Sequence, residues 1–584
     1  MNTGMSNARD KAQEFLQREK AFRLGQLLTE SSHAKTQSLS QTMETDIEAG
    51  VRLLQSVDED IPAALGRIFA QDSFHQLVEA FGAAMRAGRR IYFTGCGATG
   101  RLSILLEAAW REFWRAMKPH YAEAALMEDR CFSVMAGGDF ALIKSVEGFE
   151  DFPDFGRHQL KEAGVQRDDV VVAITEGGET SFVIGTAWQG LETGAHVFFV
   201  YNNPSDLLRR HVQRSREVLD EPRIRKLDLA TGPMAITGST RMQATTTELL
   251  VVGAALETAI GRAYASVGVA PESGVTVRSV PEYCRLFEGL LNQLSRPEAV
   301  TAIARMVELE EQVYCRHGLV TYVADSLLLD ILTDTTERAP TFMLPPFRKE
   351  GDTISPVSWS FVKSPHHPTR QAWADMLQRE PRGLTWGPET YRQLNAPLPL
   401  QSNPPKLDNE EIYKFRIGNE PDPSRTNAAD SLLVSVGGGF NLQSAIRNPQ
   451  YPRTAAIAFG PAAAPMSVDE HIHIRCDLPA SPLRLWEHLA IKLILNTLST
   501  ATMVRMARVI GNAMVWVSPS NKKLIDRGCR LIAQQTGCTY EHACEVLHEA
   551  IEEIGRRGQA GEEVPSPVAL AIGRITTDSK DKTI

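Results

Sequence analysis

One pattern recurs along the chain and constrains its fold more than any other feature: a β-rich run, a glycine turn and then a helix. The first copy runs from Ile91 through Gly95-Cys-Gly-Ala-Thr-Gly100 into a helical stretch that starts at Arg101. Residues 170–178 and 196–204 repeat the pattern with other turn residues. Strands that alternate with helices at this spacing predict a parallel, doubly wound sheet.

A weaker copy of the pattern occupies the second half of the chain. Residues 318–323, 431–436, 454–459 and 471–475 are typical of strands, and residues 485–557 are mostly helical in pattern. We therefore predict an α/β protein with two doubly wound parallel-sheet domains and a C-terminal helical cap. The predicted limits are an N-terminal arm (1–45), a first domain (46–290), a second domain (291–500) and the cap (501–584).

Composition excludes several classes of function. The 584 residues are too many for one hydrophobic core. The net charge of −9 argues against a general binder of nucleic acids or membrane surfaces. No apolar run reaches the roughly 18 residues of a spanning helix, and the N-terminus lacks the apolar core of a signal peptide, so we expect a cytoplasmic protein. The eight cysteines form no C-x-x-C pair, and we predict neither a metal site nor a cofactor.

Three loops carry the candidate ligand-binding residues. In a doubly wound sheet, ligands bind beyond the carboxyl ends of the strands, where helix N-termini and hydroxyl groups suit a phosphate. The first loop also fits dinucleotide binding, but no acidic residue closes a next strand about 20 residues later. Glu176 and Glu179 would repel a phosphate unless they turn outward. The candidates are Gly97, Ala98, Thr99 and Gly100 in the first loop, Thr175, Gly177, Gly178 and Glu179 in the second, and Ser239, Thr240 and Arg241 in the third.

A set of short motifs resembles a known family. In order they are Gly95-Cys-Gly-Ala-Thr-Gly-Arg-Leu, Ala136-Gly-Gly-Asp, Val146-Glu-Gly-Phe-Glu-Asp, Asn203-Pro and Thr237-Gly-Ser-Thr-Arg-Met. They are similar to sugar-isomerase (SIS) domain proteins of the subgroup that contains N-acetylmuramic acid 6-phosphate etherase and glucokinase regulatory protein. Residues 492–500 and 511–515 resemble the helical tail of the etherase. Two such domains with a helical cap resemble the layout of the regulatory protein.

The resemblance implies site residues as well as a fold. For the etherase it implies two glutamates: Glu147 matches the second, whereas Ala109 stands where the first, the proton donor, is expected. Glu107 lies two residues earlier and roughly 200° around the helix, and Glu337 could replace the donor only if the second domain presents it to the same pocket. Lys492 matches a lysine that reaches the phosphate in the regulatory protein, and Glu179 replaces a phosphate-contacting serine.

Three functions stay open at this point. The favoured one is a sugar-phosphate sensor that binds a phosphorylated sugar or aminosugar, with a sugar kinase as the partner that the resemblance suggests. The alternative is an enzyme, either an etherase-like lyase or a phosphosugar isomerase, with Glu147, Glu107 and Glu337 as its candidate catalytic residues. The third is an interaction protein whose sugar sites are relics. Two SIS domains in one chain could pair internally, so both a monomer and a homodimer are compatible with the sequence.

Overall fold

Two parallel five-stranded sheets organise the protein. The structure, a computed structural model, describes residues 3–120, 123–146, 148–267, 278–437, 451–462, 467–559 and 565–581. The first sheet has the strand order β2-β1-β3-β4-β5, and the second has the order β10-β9-β8-β6-β7. The strands are β1 (Ile91–Gly95), β2 (Cys131–Met135), β3 (Val170–Thr175), β4 (His196–Tyr201), β5 (Arg225–Asp228), β6 (Val320–Val323), β7 (Ser360–Lys363), β8 (Leu432–Val436), β9 (Arg453–Gly460) and β10 (Glu470–Arg475).

The two sheets have the same topology. In each, the first strand lies between the second and the third, so the direction of winding reverses beside β1 in one sheet and beside β6 in the other. Such a reversal leaves a crevice at the carboxyl ends of the strands, where α/β proteins bind ligands. Helices cover both faces, and every residue of β1, β3, β6, β7 and β8 is buried. This burial explains why strands such as Val170–Thr175 are continuous apolar runs without alternation.

The helices of the first half surround the first sheet. They are α1 (Thr3–Arg18), α2 (Leu39–Thr45), α3 (Ile47–Asp58), α4 (Asp60–Phe69), α5 (Asp72–Ala87), α6 (Ala98–Met117), α7 (Ala124–Met127), α8 (Pro153–Glu162), α9 (Ser181–Thr193), α10 (Ser205–His211), α11 (Gln213–Asp220) and α12 (Gln243–Val267). The second half continues with α13 (Val280–Leu294), α14 (Pro297–Cys315), α15 (Leu328–Phe342), α16 (Thr369–Leu377), α17 (Pro388–Gln393), α18 (Leu398–Ser402), α19 (Asn409–Tyr413), α20 (Pro423–Thr426), α21 (Leu485–Arg505), α22 (Lys522–Thr536), α23 (Tyr540–Gln559) and α24 (Pro567–Asp581).

The predicted fold class is confirmed, with differences in detail. The region 46–86 holds the three helices α3, α4 and α5, and the strands β2, β5 and β7 were not predicted. Each of these strands has only four or five residues and pairs at or next to a sheet edge, which leaves a weak apolar signal. The domain limits stay a prediction.

The N-terminal arm packs against the cap. Helix α1 lies against α23, and Glu30 forms ion pairs with Arg527 at 2.6 Å and with Arg530 at 2.7 Å. Helix α21 runs between the two halves and contacts both α12 and α15. Helices from both halves of the chain therefore meet at α21. None of the helices in the described ranges combines the length and apolar character that crossing a bilayer requires.

Candidate functional site

A small cavity, which we call the interdomain cavity, lies where α6, α12, α15 and α21 meet. Its volume is about 40 Å³. Its charged lining comes from both halves of the chain, because α6 and α12 belong to the first half and α15 to the second. The charged residues of the lining are Arg101, Arg241, Lys492, Asp330, Asp334 and Glu337.

Glu337 is the carboxyl group of this cavity that lacks a hydrogen-bond partner. Its residue is 5% exposed, and its Oε1 atom accepts no hydrogen bond from the residues that the structure describes. The Nη1 atom of Arg101 lies 3.8 Å from Oε1. Burial raises the pKa of Glu337 even though Arg101, Arg241 and Lys492 act in the opposite direction. A carboxyl group with a raised pKa is suited to donate a proton near neutral pH.

Lys492 turns inward, towards the start of α12. Its Nζ atom lies 2.9 Å from the backbone oxygen of Arg241, 2.9 Å from Oγ1 of Thr246 and 2.8 Å from Oδ1 of Asn496. All three acceptors are uncharged, so the positive charge of Lys492 is not neutralised by them. Burial lowers the pKa of Lys492 to about 8, although the nearby Glu337 carboxylate acts to raise it. The lysine is thus not a solvent-seeking side chain on an apolar helix.

Arg241 is held by a network that crosses the two halves. Its Nη1 atom donates to Oδ1 of Asp334 at 3.0 Å, and its Nη2 atom donates to Ser499 at 3.0 Å and Thr500 at 2.9 Å. Its Nε atom is buried and has no hydrogen-bond acceptor within the described part of the chain. One edge of the guanidinium is therefore satisfied, and the Nε position is available for a ligand oxygen.

The first predicted loop contributes the start of α6 to the interdomain cavity, but not the hydroxyl group of Thr99. Ala98 lines the interdomain cavity. The Thr99 hydroxyl closes the turn, since it donates to the Cys96 carbonyl at 2.9 Å and accepts from the Cys96 amide at 3.1 Å. Gly97 has a φ of 57°, which a glycine adopts without strain. At Gly100 a Cβ atom would come within 2.6 Å of Met135, so this glycine serves helix–strand packing.

In the second predicted loop, the side chains of Thr175 and Glu179 have partners within the protein. The Thr175 hydroxyl donates to Thr180 at 3.1 Å. The Glu179 carboxylate is paired with Lys523 at 2.6 Å and Arg214 at 2.8 Å. Burial alone would raise the pKa of Glu179, but these two cations lower it. Assigning Glu179 to the ligand is therefore corrected: its charge is used to attach α22 to the first domain.

The glycines of this loop also take part in packing. The Gly177 carbonyl accepts from Nδ2 of Asn203 at 2.9 Å, and the Gly178 carbonyl accepts from Ser215 at 2.7 Å. Glu176 does not line the interdomain cavity, but it is buried and close enough to Glu337 to be affected by its charge. Burial raises the pKa of Glu176 to about 7, and the neighbouring Glu337 charge adds to the increase while Lys523 opposes it.

The third predicted loop leads into α12. Gly238, with a φ of 76°, lies against the Arg527 side chain of α22, which a Cβ atom would approach within 2.5 Å. Ser239 is buried and Thr240 is half-buried in the turn, and the cavity is lined by the residue that follows them, Arg241. Arg527 thus covers the outer side of this loop.

The surroundings of Glu107 do not suit a proton donor. It is 0% exposed, and its carboxylate accepts hydrogen bonds from Ser133, from Nη2 of Arg379 at 3.1 Å and from Nη2 of Arg382 at 2.8 Å. Burial alone would raise its pKa, but the two arginines lower it to about 2. A carboxyl group with this pKa carries no proton to donate at neutral pH. Glu147 lies outside the described residues.

The structure therefore brings four predicted residues to one cavity and adds others. Ala98, Arg241, Glu337 and Lys492 line it together, which answers whether the second half presents Glu337 to the first-half loops. Sequence reasoning missed Arg101, Asp334 and Asn496 as lining residues. Their spacing in the sequence could have indicated them. Arg101 follows the glycine turn by one residue. Asp334 precedes Glu337 by three residues and Asn496 follows Lys492 by four, so each of these two pairs shares a helix face. Within the described ranges, no group of three or more His, Cys, Asp and Glu side chains could hold a metal ion.

Comparison with known proteins gives consistent matches. Residues 74–189 match the family described as the glucokinase regulatory protein N-terminal SIS domain. The N-acetylmuramic acid 6-phosphate etherase of Exiguobacterium sp. is 29% identical over 249 residues, which is 42% of this chain and 76% of the relative. The same enzyme of Bacillus subtilis is 26% identical over 249 residues, with 42% of this chain and 73% of the relative covered.

Among solved structures, the C-terminal domain of glucosamine-fructose-6-phosphate aminotransferase from Francisella tularensis aligns with 12% identity and a TM-score of 0.41. The alignment covers 78% of this chain and 96% of that one.

Proposed function

We propose that this protein binds a phosphorylated sugar or aminosugar at the interdomain cavity and acts on it by etherase-like acid–base chemistry. The proposal builds on the SIS-domain character of the chain and on its similarity to N-acetylmuramic acid 6-phosphate etherases and to glucokinase regulatory protein. The observation that carries the proposal is that Arg101, Arg241, Lys492 and Glu337 line one cavity, and the pKa shifts of two carboxyl groups support it. Burial raises the pKa of Glu176 to about 7, and it also raises the pKa of Glu337. Groups that titrate near the working pH are the efficient general acids and bases.

The cations of the cavity support the binding of a phosphate. The guanidinium of Arg101 donates to the backbone oxygens of Leu142 at 3.2 Å and Ala141 at 3.3 Å, and Lys492 likewise donates to uncharged oxygens. Among the described residues neither cation has a carboxylate at hydrogen-bond distance, and a charge removed from water in this way gains from an anionic ligand. The volume of about 40 Å³ suits a phosphate group or a few water molecules, so the sugar ring extends beyond this cavity.

In the proposed elimination on the open-chain sugar, a carboxylate removes the proton from the carbon next to the carbonyl. The C–H electron pair forms a C=C bond to the neighbouring carbon, the ether C–O bond of that carbon breaks, and Glu337 protonates the departing lactyl oxygen. Glu337 thereby takes the role that is vacant at Ala109. Two residues are candidates for the base: Glu176, because its pKa is raised, and Glu147, because it matches a glutamate of the etherase motif. An isomerase would use the same pair to move one proton between neighbouring carbons.

The test is release of D-lactate from N-acetylmuramic acid 6-phosphate by the full chain. We expect Glu337→Gln to lower kcat about a hundredfold or more, the usual contribution of a general acid. Glu79→Gln, at an exposed surface pair, is the matched control and should keep wild-type activity. Wild-type turnover by Glu337→Gln would remove Glu337 from the mechanism, and comparing Glu176→Gln with Glu147→Gln identifies the base.

A second candidate is a sensor that binds without turnover. It is favoured by Ala109, which has no acidic group at the position expected for the proton donor, and by Glu107, whose carboxylate is paired with Arg379 and Arg382. In that case the phosphosugar raises the thermal midpoint of the protein by mass action, no lactate appears, and Lys492→Met abolishes the shift. Inhibition of a sugar kinase in the presence of the phosphosugar would then test the partner that the resemblance suggests.

A further inference from the structure

A larger cavity, which we call the second-domain cavity, lies at the carboxyl edge of the second sheet. Its volume is about 330 Å³, within the range of small-molecule sites. It is bounded by the loops after β6 and β7, by α6 and by the start of α21. It shares Leu105 and Asp330 with the lining of the interdomain cavity, so the two cavities are neighbours. His366 and His367, which also line it, are exposed and mark its opening to solvent.

His488, which lines this cavity, has a ring nitrogen without a hydrogen-bond partner among the described residues. The residue is 6% exposed, and its Nδ1 atom lies 3.0 Å from each carboxylate oxygen of Asp330. The Asp330 carboxylate can only accept, so Nδ1 carries a hydrogen and Nε2 is left to face a ligand. Nε2 is buried and has no hydrogen-bond partner among the residues that the structure describes. A buried polar atom without a partner is disfavoured unless a ligand or water satisfies it.

The rest of the lining suits a carbohydrate better than a free anion. Three of the four acidic groups at the wall are matched by a base, Asp330 by His488, Asp375 by His367 at 2.6 Å and Glu112 by Arg484 at 3.0 Å, and the fourth, Asp325, accepts a hydrogen bond from the Ser326 amide. Paired charges leave little net attraction for an anion but offer both donors and acceptors to hydroxyl groups. Apolar side chains on α6 and α15, among them Leu105, Ala108, Ala109 and Leu329, provide a surface for the C–H faces of a sugar.

We infer that the second-domain cavity holds the unphosphorylated part of the sugar ligand, with Nε2 of His488 hydrogen-bonded to one of its hydroxyl groups. The inference rests on the proposed function, since the phosphate of the same ligand occupies the interdomain cavity next to it. It assigns the anion to Arg101, Arg241 and Lys492, and the recognition of the sugar to the edge of the second sheet. Ala109 then lies at the wall of the sugar site.

Calorimetric titration of the full chain with N-acetylglucosamine 6-phosphate and with inorganic phosphate tests the inference. For the wild type we expect the phosphosugar to bind at least about tenfold more tightly than phosphate. His488→Phe removes the hydrogen-bonding nitrogen, and Ala109→Phe fills the cavity without touching the His488–Asp330 pair. Both variants should weaken the phosphosugar about tenfold and leave phosphate binding unchanged. His471→Phe, on the exposed far edge strand of the second sheet, is the control.

The outcomes separate the two proposals. If the wild type binds neither ligand, the proposed function and the inference both fail. If it binds both, and Ala109→Phe and His488→Phe bind the phosphosugar as the wild type does, the anion site stands and the sugar site is refuted. Equal weakening of both ligands would also overturn the inference, because His488 would then act on the anion site or on the fold. Should His488→Phe not fold, Ala109→Phe decides alone.

Discussion

Replacing Glu107 by glutamine tests whether this carboxylate connects the two halves of the chain rather than taking part in catalysis. Glu107 lies on α6 of the first half, and Arg379 and Arg382 follow α16 of the second. The carboxylate is wholly buried, so its charge is stabilised mainly by these arginines and by Ser133. The amide of Glu107→Gln keeps the shape of the side chain and removes the charge that the arginines face.

The magnitude follows from the pKa of Glu107, which falls from 4.5 to about 2 on folding. A difference of about 2.5 in pKa corresponds to about 3 kcal/mol of stability at neutral pH. Because the folded pKa is the lower one, this contribution is fully present above about pH 5 and is lost as the pH falls towards 2. Glu107→Gln should therefore lower the free energy of unfolding by about 3 kcal/mol at pH 7, and by less than half of that at about pH 3.

Urea unfolding followed by tryptophan fluorescence is the assay, because Trp110 and Trp114 are buried on the same helix and report the loss of α6 packing. Glu79→Gln is the control: it breaks an exposed pair with Arg262 and should cost less than about 1 kcal/mol. Lactate release per folded molecule of Glu107→Gln should equal that of the wild type. A stability change below about 1 kcal/mol together with lost activity would refute the reasoning and return Glu107 to the catalytic role.

Two further predictions concern packing and pH. Gly185→Ala would place a Cβ atom 1.9 Å from the backbone oxygen of Pro153, so α8 and α9 must separate, and we expect a loss of about 2–3 kcal/mol in urea unfolding. Gly66→Ala, at an exposed helical position with open space, should instead be neutral or stabilising by up to about 1 kcal/mol; a similar loss at both positions would contradict the steric account. Burial alone would lower the pKa of His488, but the Asp330 carboxylate outweighs burial and raises this pKa above 6.5. The His488–Asp330 pair therefore stabilises the fold below about pH 6.5, and this stabilisation is lost as the pH rises through the raised pKa. The stability difference between wild type and Asp330→Asn, from urea midpoints at about pH 6 and about pH 9, should therefore shrink at the higher pH, and a constant difference would show that His488 does not titrate.

Part of the candidate site could be read from the sequence because it depends on local spacing. A glycine turn followed by a helix places Ala98 at a helix start, and the motif that contains Arg241 leads into α12. The hydroxyl groups of Thr99 and Thr175 could not be assigned in this way. Whether a hydroxyl faces a ligand or closes its own turn depends on the rotamer and on the nearest acceptor, which for Thr99 is the carbonyl three residues earlier.

The sequence alone determined the fold class and the doubling of the sheet. These depend on buried apolar strands, on helical periodicity and on glycine turns, which are properties of short segments. Only the tertiary structure decided which acids are available for chemistry. Glu107 is held ionised by arginines 272 and 275 residues away, whereas Glu337 is buried without a hydrogen-bond donor at its Oε1 atom in the described chain. The proton affinity of a carboxyl group is set by burial and by charges within a few ångströms, and long-range folding brings those charges together.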